Sequence, residues 1–309
     1  MSEYSNLKVN VLAIIACLLW ATPFVVIKIG LEYSEPLQFA GVRFFFAGFL
    51  IYPFIKEKKN ILPLLKQNFG FILKVAIFQT FLQYAFFYLG IARIPGSLSA
   101  IIIGAGPLFI AIMAHFYMPN DKITLKKSFG IIGGFVGIIL VTLSRGGSST
   151  ESSVVLLGVL FLVLANINGG FTNIFIAKNK RNIPTLVLSS LSITIGGAIM
   201  ILFSMLVEPF EISIKPTEYY VSLAWLSFVS AGAISIWTAL LHNKNVVVST
   251  LNMWKFIVPV FGAIFSWMVF PEETPQLLSI GGMLLIMSSL LWVNYLNRKR
   301  NKELAKNGK

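Results

Sequence analysis

Lys255 stands four residues before Pro259 in an otherwise apolar run, and proline removes the N–H that would have bonded the carbonyl of residue 255. An ammonium at a weakened point of a helix must find a bound anion, a freed carbonyl, an aromatic face or water. Arg43 is equally deep. Each cation lies roughly eight residues inside its apolar segment, about 12 Å at 1.5 Å per residue and close to the midplane of a ~30 Å hydrocarbon layer. Leaving either bare there costs about 2.5–3.5 kcal/mol. Two readings of Lys255 stand side by side: contact with an anionic group on a ligand, or a neutral lysine bonded to neighbouring polar groups. Arg43 either binds a ligand or holds helix carbonyls. Lys28 and Lys74 lie within a turn or two of a helix end, where a long side chain reaches the interface.

Other polar and aromatic residues could enclose the same ligand. Trp20, Phe24, Gln79, Gln83, Tyr84, Tyr88, Asn166, Asn173, Trp237 and Trp254 all fall inside apolar segments, with Gln79 and Gln83 paired at i, i+4 on one helix face. The amides are costly to expose to lipid and should face the interior, whereas the aromatics serve packing or lipid contact as readily as binding. Pro107 and Pro259 weaken two helices and are candidates for gating.

The acids are informative by their absence from these segments. Glu3, Glu57, Asp121 and Glu303 flank the segments on one side, and Glu32, Glu35, Glu151, Glu208, Glu211, Glu218, Glu272 and Glu273 on the other. Carboxylates inside spans are the usual proton and sodium relays, so no obvious proton carrier is present. Paired aspartates and an H-E-x-x-H motif are also missing. We expect no enzyme, no cofactor and no metal. His115 and His242 sit near helix ends as interface residues, and the single cysteine, Cys17, allows no intramolecular disulfide and fits core packing.

The elements that must position these residues are membrane spans. Hydrophobic residues make up 56% of the 309 and charged residues 12%, against roughly 25% charge in soluble domains. Ten apolar segments of about 20 residues follow one another: 9–29, 36–55, 68–92, 96–117, 125–143, 154–177, 185–207, 219–242, 248–270 and 277–296. The first is too long for a signal-peptide core and lacks an A-x-A site, so it should remain attached. The net charge of +13 would suggest nucleic acid in a soluble protein. Here 18 of the basic residues fall on one side of the spans and 3 in the opposite loops, which is the positive-inside pattern and places both termini in the cytoplasm. The basic tail reads as a topology signal and a contact for anionic lipid, with no nucleic-acid partner.

The stretch 106–121, GPLFIAIMAHFYMPND, returns 152 residues later as VPVFGAIFSWMVFPEE with five of sixteen positions identical, Pro107 and Pro259 among them. A repeat near half the chain length divides the molecule into 1–143 and 154–296, joined by the polar linker 144–153 and followed by the tail 297–309. Each half holds five segments, and an odd number inserts the second copy upside down, the plan of many alternating-access carriers. Ile103 in one copy is Lys255 in the other. Gly130, Gly133, Gly134 and Gly137 in the fifth segment and Gly281 and Gly282 in the tenth remove bulk where helices must approach. The expected fold is therefore an all-α integral membrane protein, ten helices in two inverted five-helix repeats around a central cavity.

These residues resemble the drug/metabolite transporter superfamily, and within it the ten-helix EamA-type permeases. The run Trp20-Ala-Thr-Pro-Phe24-Val-Val-Ile-Lys28 looks like the family's W-x-x-x-F-x-x-x-K pattern, and Pro36 with Arg43-Phe44 like its second-helix signature. Tyr84 and Tyr88 fit the third helix, and Pro107 and Pro259 the prolines of helices 4 and 9. Departures are Asn166 and Asn168, where a tryptophan is common, Glu272 or Glu273 as the acid matching Asp121, and Lys255. The resemblance implies export of small metabolites, commonly amino acids or related compounds, from a bacterial inner membrane. Ten helices can enclose a cavity without a second subunit, so a monomer is expected. The competing class is a membrane receptor or scaffold that binds a small ligand or lipid without moving it.

Overall fold

A computed structural model describes residues 6–56, 58–118, 122–144, 149–179, 181–209, 213–241 and 252–307. Every regular element among the described residues is helical. A chain in lipid must satisfy its backbone N–H and C=O groups within each segment, and helices do so. Among the described residues, eight stretches are long and apolar enough to cross a membrane: Leu7–Leu31, Pro36–Phe54, Ile61–Ile91, Gly96–Tyr117, Leu125–Leu143, Ser152–Ile176, Thr185–Val207 and Leu277–Lys299. A further apolar helix, Trp254–Val269, is shorter. Of the expected segment 219–242, residues 219–241 fall in the 25-residue helix Thr217–Leu241, while His242 and the start of 248–270 lie outside the described residues.

Several crossings are broken, and the breaks follow the sequence. Helices α1 (Asn6–Ala21) and α2 (Pro23–Leu31) part at Thr22, one residue before a proline. Thr22 Oγ1 donates to the Leu19 carbonyl at 2.9 Å and accepts from Trp225 Nε1 at 2.9 Å. After α3 (Pro36–Ile51), the third crossing is α4 (Ile61–Val75), a wide π-helical stretch Ala76–Leu82, then α5 (Gln83–Ile91). Helices α6 (Gly96–Gly104) and α7 (Gly106–Tyr117) part at Ala105, with Pro107 in the first turn of α7. There follow α8 (Leu125–Leu143), α9 (Ser149–Lys178), α10 (Thr185–Val207) and α11 (Thr217–Leu241). The 3₁₀ turn Asn252–Phe256 leads into α12 (Ile257–Val269), with Pro259 near its start. Last comes α13 (Leu277–Asn307), which continues as helix through most of the expected basic tail.

Small residues set the packing. Helix α3 lies along α10, and α8 along α13. A methyl group at Gly197 would sit 2.4 Å from the Phe45 backbone nitrogen. At the second contact the relation is reciprocal: a methyl at Gly137 would lie 2.8 Å from the Gly282 carbonyl, and one at Gly282 2.7 Å from the Gly137 carbonyl. Backbones this close gain dispersion contacts that bulkier residues would forbid, and van der Waals packing is the main attraction between helices in lipid. Helix α9 packs on α5 and α7, α1 on α11 and α12, α11 on α3, and α10 on the π stretch. Helix α6 crosses α12. Outside this core, Phe46, Phe129, Ile132, Leu156 and Leu160 are exposed, as a lipid-facing surface requires.

Adjacent glycines in α13 give a direct check. A Cβ at Gly281 meets nothing within 4 Å, whereas one at Gly282 would lie 2.4 Å from Val141 Cγ2. Gly282→Val should cost at least about 1–3 kcal/mol of overpacking and lower the thermal midpoint of the purified protein, while Gly281→Val should leave that midpoint unchanged.

Candidate functional site

Where α6 meets α12, glycine on α6 leaves room for the Pro259 ring: a methyl at Gly104 would lie 2.5 Å from Pro259 Cβ. Each proline forfeits the hydrogen bond to the carbonyl four residues earlier, at Ile103 and Lys255 respectively. Beside this crossing is a cavity of about 420 Å³ whose walls include Trp20, Ile103, Pro107, Lys255, Pro259 and Asn294. Four sequence candidates, Trp20, Pro107, Lys255 and Pro259, thus share one cavity.

Lys255 is exposed and lines this cavity. Its Nζ lies 4.8 Å from the ring centre of Trp237 and 6.0 Å from that of Trp20, and the two indoles are tilted at 5.2 Å from each other. Indole faces attract a cation at an exposed position by about 0.5–1 kcal/mol. Among the described residues the ammonium has no hydrogen-bonding or carboxylate partner. Trp237 is buried against Ala13, Ala16, Cys17 and Leu240, with Trp254 packed on the same cluster, so the indole wall is held from behind. Asn297 also lines the cavity, with its Oδ1 buried and without a hydrogen-bond partner among the described residues.

Gln79, Gln83, Tyr84 and Asn173 line a different cavity, about 250 Å³, between the π stretch with α5 and helix α9. The wide turn leaves a carbonyl to be satisfied from outside the helix, and Asn168 Nδ2 donates to Phe78 O at 2.6 Å and to Gln83 Oε1 at 3.3 Å. Asn173 Nδ2 donates to Gly169 O at 2.7 Å. This wall is amide-rich and carries no charged residue.

The remaining candidates lie in packed interior. Arg43 is 4% exposed and donates from Nη1 to Tyr88 Oη at 2.7 Å and from Nη2 to Ser230 Oγ at 3.1 Å, with its guanidinium 4.7 Å from the Phe44 ring centre. It joins α3 to α5 and α11 and lines neither cavity. Tyr88 is fully buried. Phe24 meets Phe87 edge-on at 5.9 Å, in the space that Gly262 leaves. Asn166 Nδ2 donates to the Ile102 carbonyl at 2.8 Å and closes the break between α6 and α7.

Glu273 corrects its expected place in an external loop: it is 4% exposed. Its Oε1 accepts from the Gly96 backbone N–H at 2.7 Å, and its Oε2 from Ser97 N–H at 3.0 Å, Ser97 Oγ at 2.6 Å and Ser266 Oγ at 2.8 Å. An anion here also meets the positive end of α6. Glu208 does the same for α3, accepting from Leu37 and Gln38 backbone N–H at 2.9 Å each. Burial pushes the Glu208 carboxyl above its ordinary range, opposed by these two donors. Lys28 reaches the same end as Glu273 and donates to the carbonyls of Ile91 and Ile94 at 3.4 Å, where a free path to the interface was expected. The cavity by Lys255 begins seven residues along α6 from Gly96, roughly 10 Å from the Glu273 contact. The Glu273 contacts tie the start of α6 to the end of α12, and the cavity lies further along α6. Asn294 also falls inside an expected span and obeys the rule for amides in lipid, so the sequence could have supplied it; Glu273 offered no such signal.

The model of the EamA-like transporter family matches residues 7–143 and again 156–295. The uncharacterized transporter YoaV of Bacillus subtilis (strain 168) is 22% identical over 90% of this chain and 94% of its own. A probable amino-acid metabolite efflux pump of Salmonella typhimurium (strain LT2) is 29% identical over 92% and 93%. An S-adenosylmethionine/S-adenosylhomocysteine transporter of Chlamydia muridarum (strain MoPn / Nigg) is 23% identical over 92% and 92%. A crystal structure of a protein superposes with a TM-score of 0.64 over 96% of this chain and 99% of that one at 17% identity, a likeness of fold.

Replacing Glu273 with Ala would strand two backbone N–H groups and two hydroxyls, at about 1–3 kcal/mol for each buried donor left unpaired. We expect a clear fall in the thermal midpoint for Glu273→Ala and no change for Glu272→Ala, whose residue is exposed.

Proposed function

The chain belongs to the EamA-like transporter family, and on that premise we propose an alternating-access carrier that exports small organic metabolites, amino acids or related compounds, across a bacterial inner membrane. The proposed frame has ten crossings. Eight are the long apolar stretches above; the ninth is Thr217–Leu241, and the tenth is the 3₁₀ turn with α12. Five belong to each half, 1–143 and 154–296, so the second half is inverted. Two matches of one family model support this division. So does the packing: exchanging the halves maps the α3–α10 and α8–α13 contacts onto themselves, α5–α9 onto α11–α1, and α7–α9 onto α12–α1. Both termini face the cytoplasm in this proposal, the basic tail meets anionic lipid, and one chain suffices.

The observation that carries the reading is an ammonium without an anionic partner among the described residues, facing a cavity where two proline-broken helices cross. Substrate enters this cavity from the cytoplasmic side while the Glu273 contacts keep the outer end shut. Release requires Glu273 to part from Gly96 and Ser97 as the inner ends of the halves converge. Pro107 and Pro259 let α7 and α12 bend without breaking a backbone hydrogen bond, since that bond is already missing.

The test is flux of a metabolite panel in proteoliposomes. Lys255→Met should lower transport of substrates carrying a carboxylate by about tenfold or more, the scale of one lost charge-assisted hydrogen bond, at unchanged expression. Unchanged flux would remove Lys255 from the site, and binding without flux would make the protein a receptor.

A further inference from the structure

We infer that the cavity beside Lys255 takes an organic anion with an apolar body and no free ammonium, such as an N-acyl amino acid or a 2-oxo acid, in preference to the zwitterionic amino acid. The inference rests on the carrier reading for its biological sense, and on the cavity alone for its chemistry. Among the described residues that line the cavity, Lys255 is the one charged side chain; the polar remainder is Trp20 and the two amides Asn294 and Asn297. No acid occurs in the sequence 242–251 that leads into the lysine turn.

A carboxylate can take the N–H donors that the indoles leave unspent, and a lysine ammonium carries three. An α-ammonium has no such welcome. It is covalently held within a few ångströms of the carboxylate, so it would arrive beside the Lys255 ammonium, and like charges repel. No carboxylate among the described lining residues can neutralise it, and Glu273, on the far side of α6, already accepts four hydrogen bonds. Acylation or oxidation at the α-position removes that charge and leaves a carbonyl. The rest of the wall, including Ile103, Pro107, Ile110, Phe256 and Leu290, is apolar and suits a branched or aromatic side chain. A cavity of about 420 Å³ is adequate for a compound of that size.

The probes are N-acetyl-L-phenylalanine and L-phenylalanine, which share one apolar body and differ in the charge at the α-nitrogen. Their binding to the full-length chain in detergent is measured by calorimetry, and their flux in proteoliposomes. We expect the N-acetyl compound to bind at least about tenfold tighter, 1.4 kcal/mol, with that advantage lost in Lys255→Met and kept in Lys255→Arg. Equal or tighter binding of L-phenylalanine overturns the inference, as does a preference that survives Lys255→Met or binding of neither probe. Selective binding without flux keeps the anion site and overturns the carrier. Equal flux of both keeps the carrier and overturns the anion preference.

Discussion

The crossing of two broken helices at Gly104 and Pro259 is the contact on which the rest depends. Proline cannot donate the hydrogen bond its helix needs, and lipid supplies no substitute, so such a break is tolerable only inside protein or beside water. The fold meets this by laying one break against the other. Glycine on α6 lets the ring of Pro259 approach its backbone, and Asn166 reaches across from α9 to the Ile102 carbonyl. The weakened backbone thereby comes to line a cavity, and Lys255, four residues before the proline, enters it with the same turn.

Charge is distributed by the same economy of solvation. Arg43 is bonded by Tyr88 and Ser230 and becomes a joint between three helices. Glu273 and Glu208 each cap a helix N-terminus, so their charge meets a backbone that lacks acceptors. Lys255 differs from all of these, because its neighbours are indole faces and open space. Lys255 is the cation that faces a cavity, and in our proposal it is where ligand chemistry enters.

Much of this was legible in the sequence because the bilayer punishes exceptions. Spans announce themselves by apolar length, and Lys255 and Pro259 are conspicuous as a charge and a helix breaker in such a run. What could not be read depends on distant chain. Arg43 finds its use in Ser230, 187 residues away. Gln79 and Gln83 share a cavity as their spacing suggested, yet the π stretch that presents them leaves no local mark. Glu273 follows α12 by four residues, and only the tertiary fold decides whether such a side chain stays in water or turns inward to cap α6. Helix α13 runs past the expected end of its segment at 296, which brings Asn297 into the cavity wall.

The central claim is that the lysine cavity opens to one side of the membrane and is closed toward the other by the Glu273 contacts. The most direct measurement is the reactivity of Asn294→Cys, in a Cys17→Ala background, with a membrane-impermeant thiol reagent applied to right-side-out and to inverted vesicles. We predict labelling from the cytoplasmic side, and added labelling from the outside when Glu273→Ala is introduced. Labelling from the outside with Glu273 in place, or equal labelling from both sides, would contradict the claim.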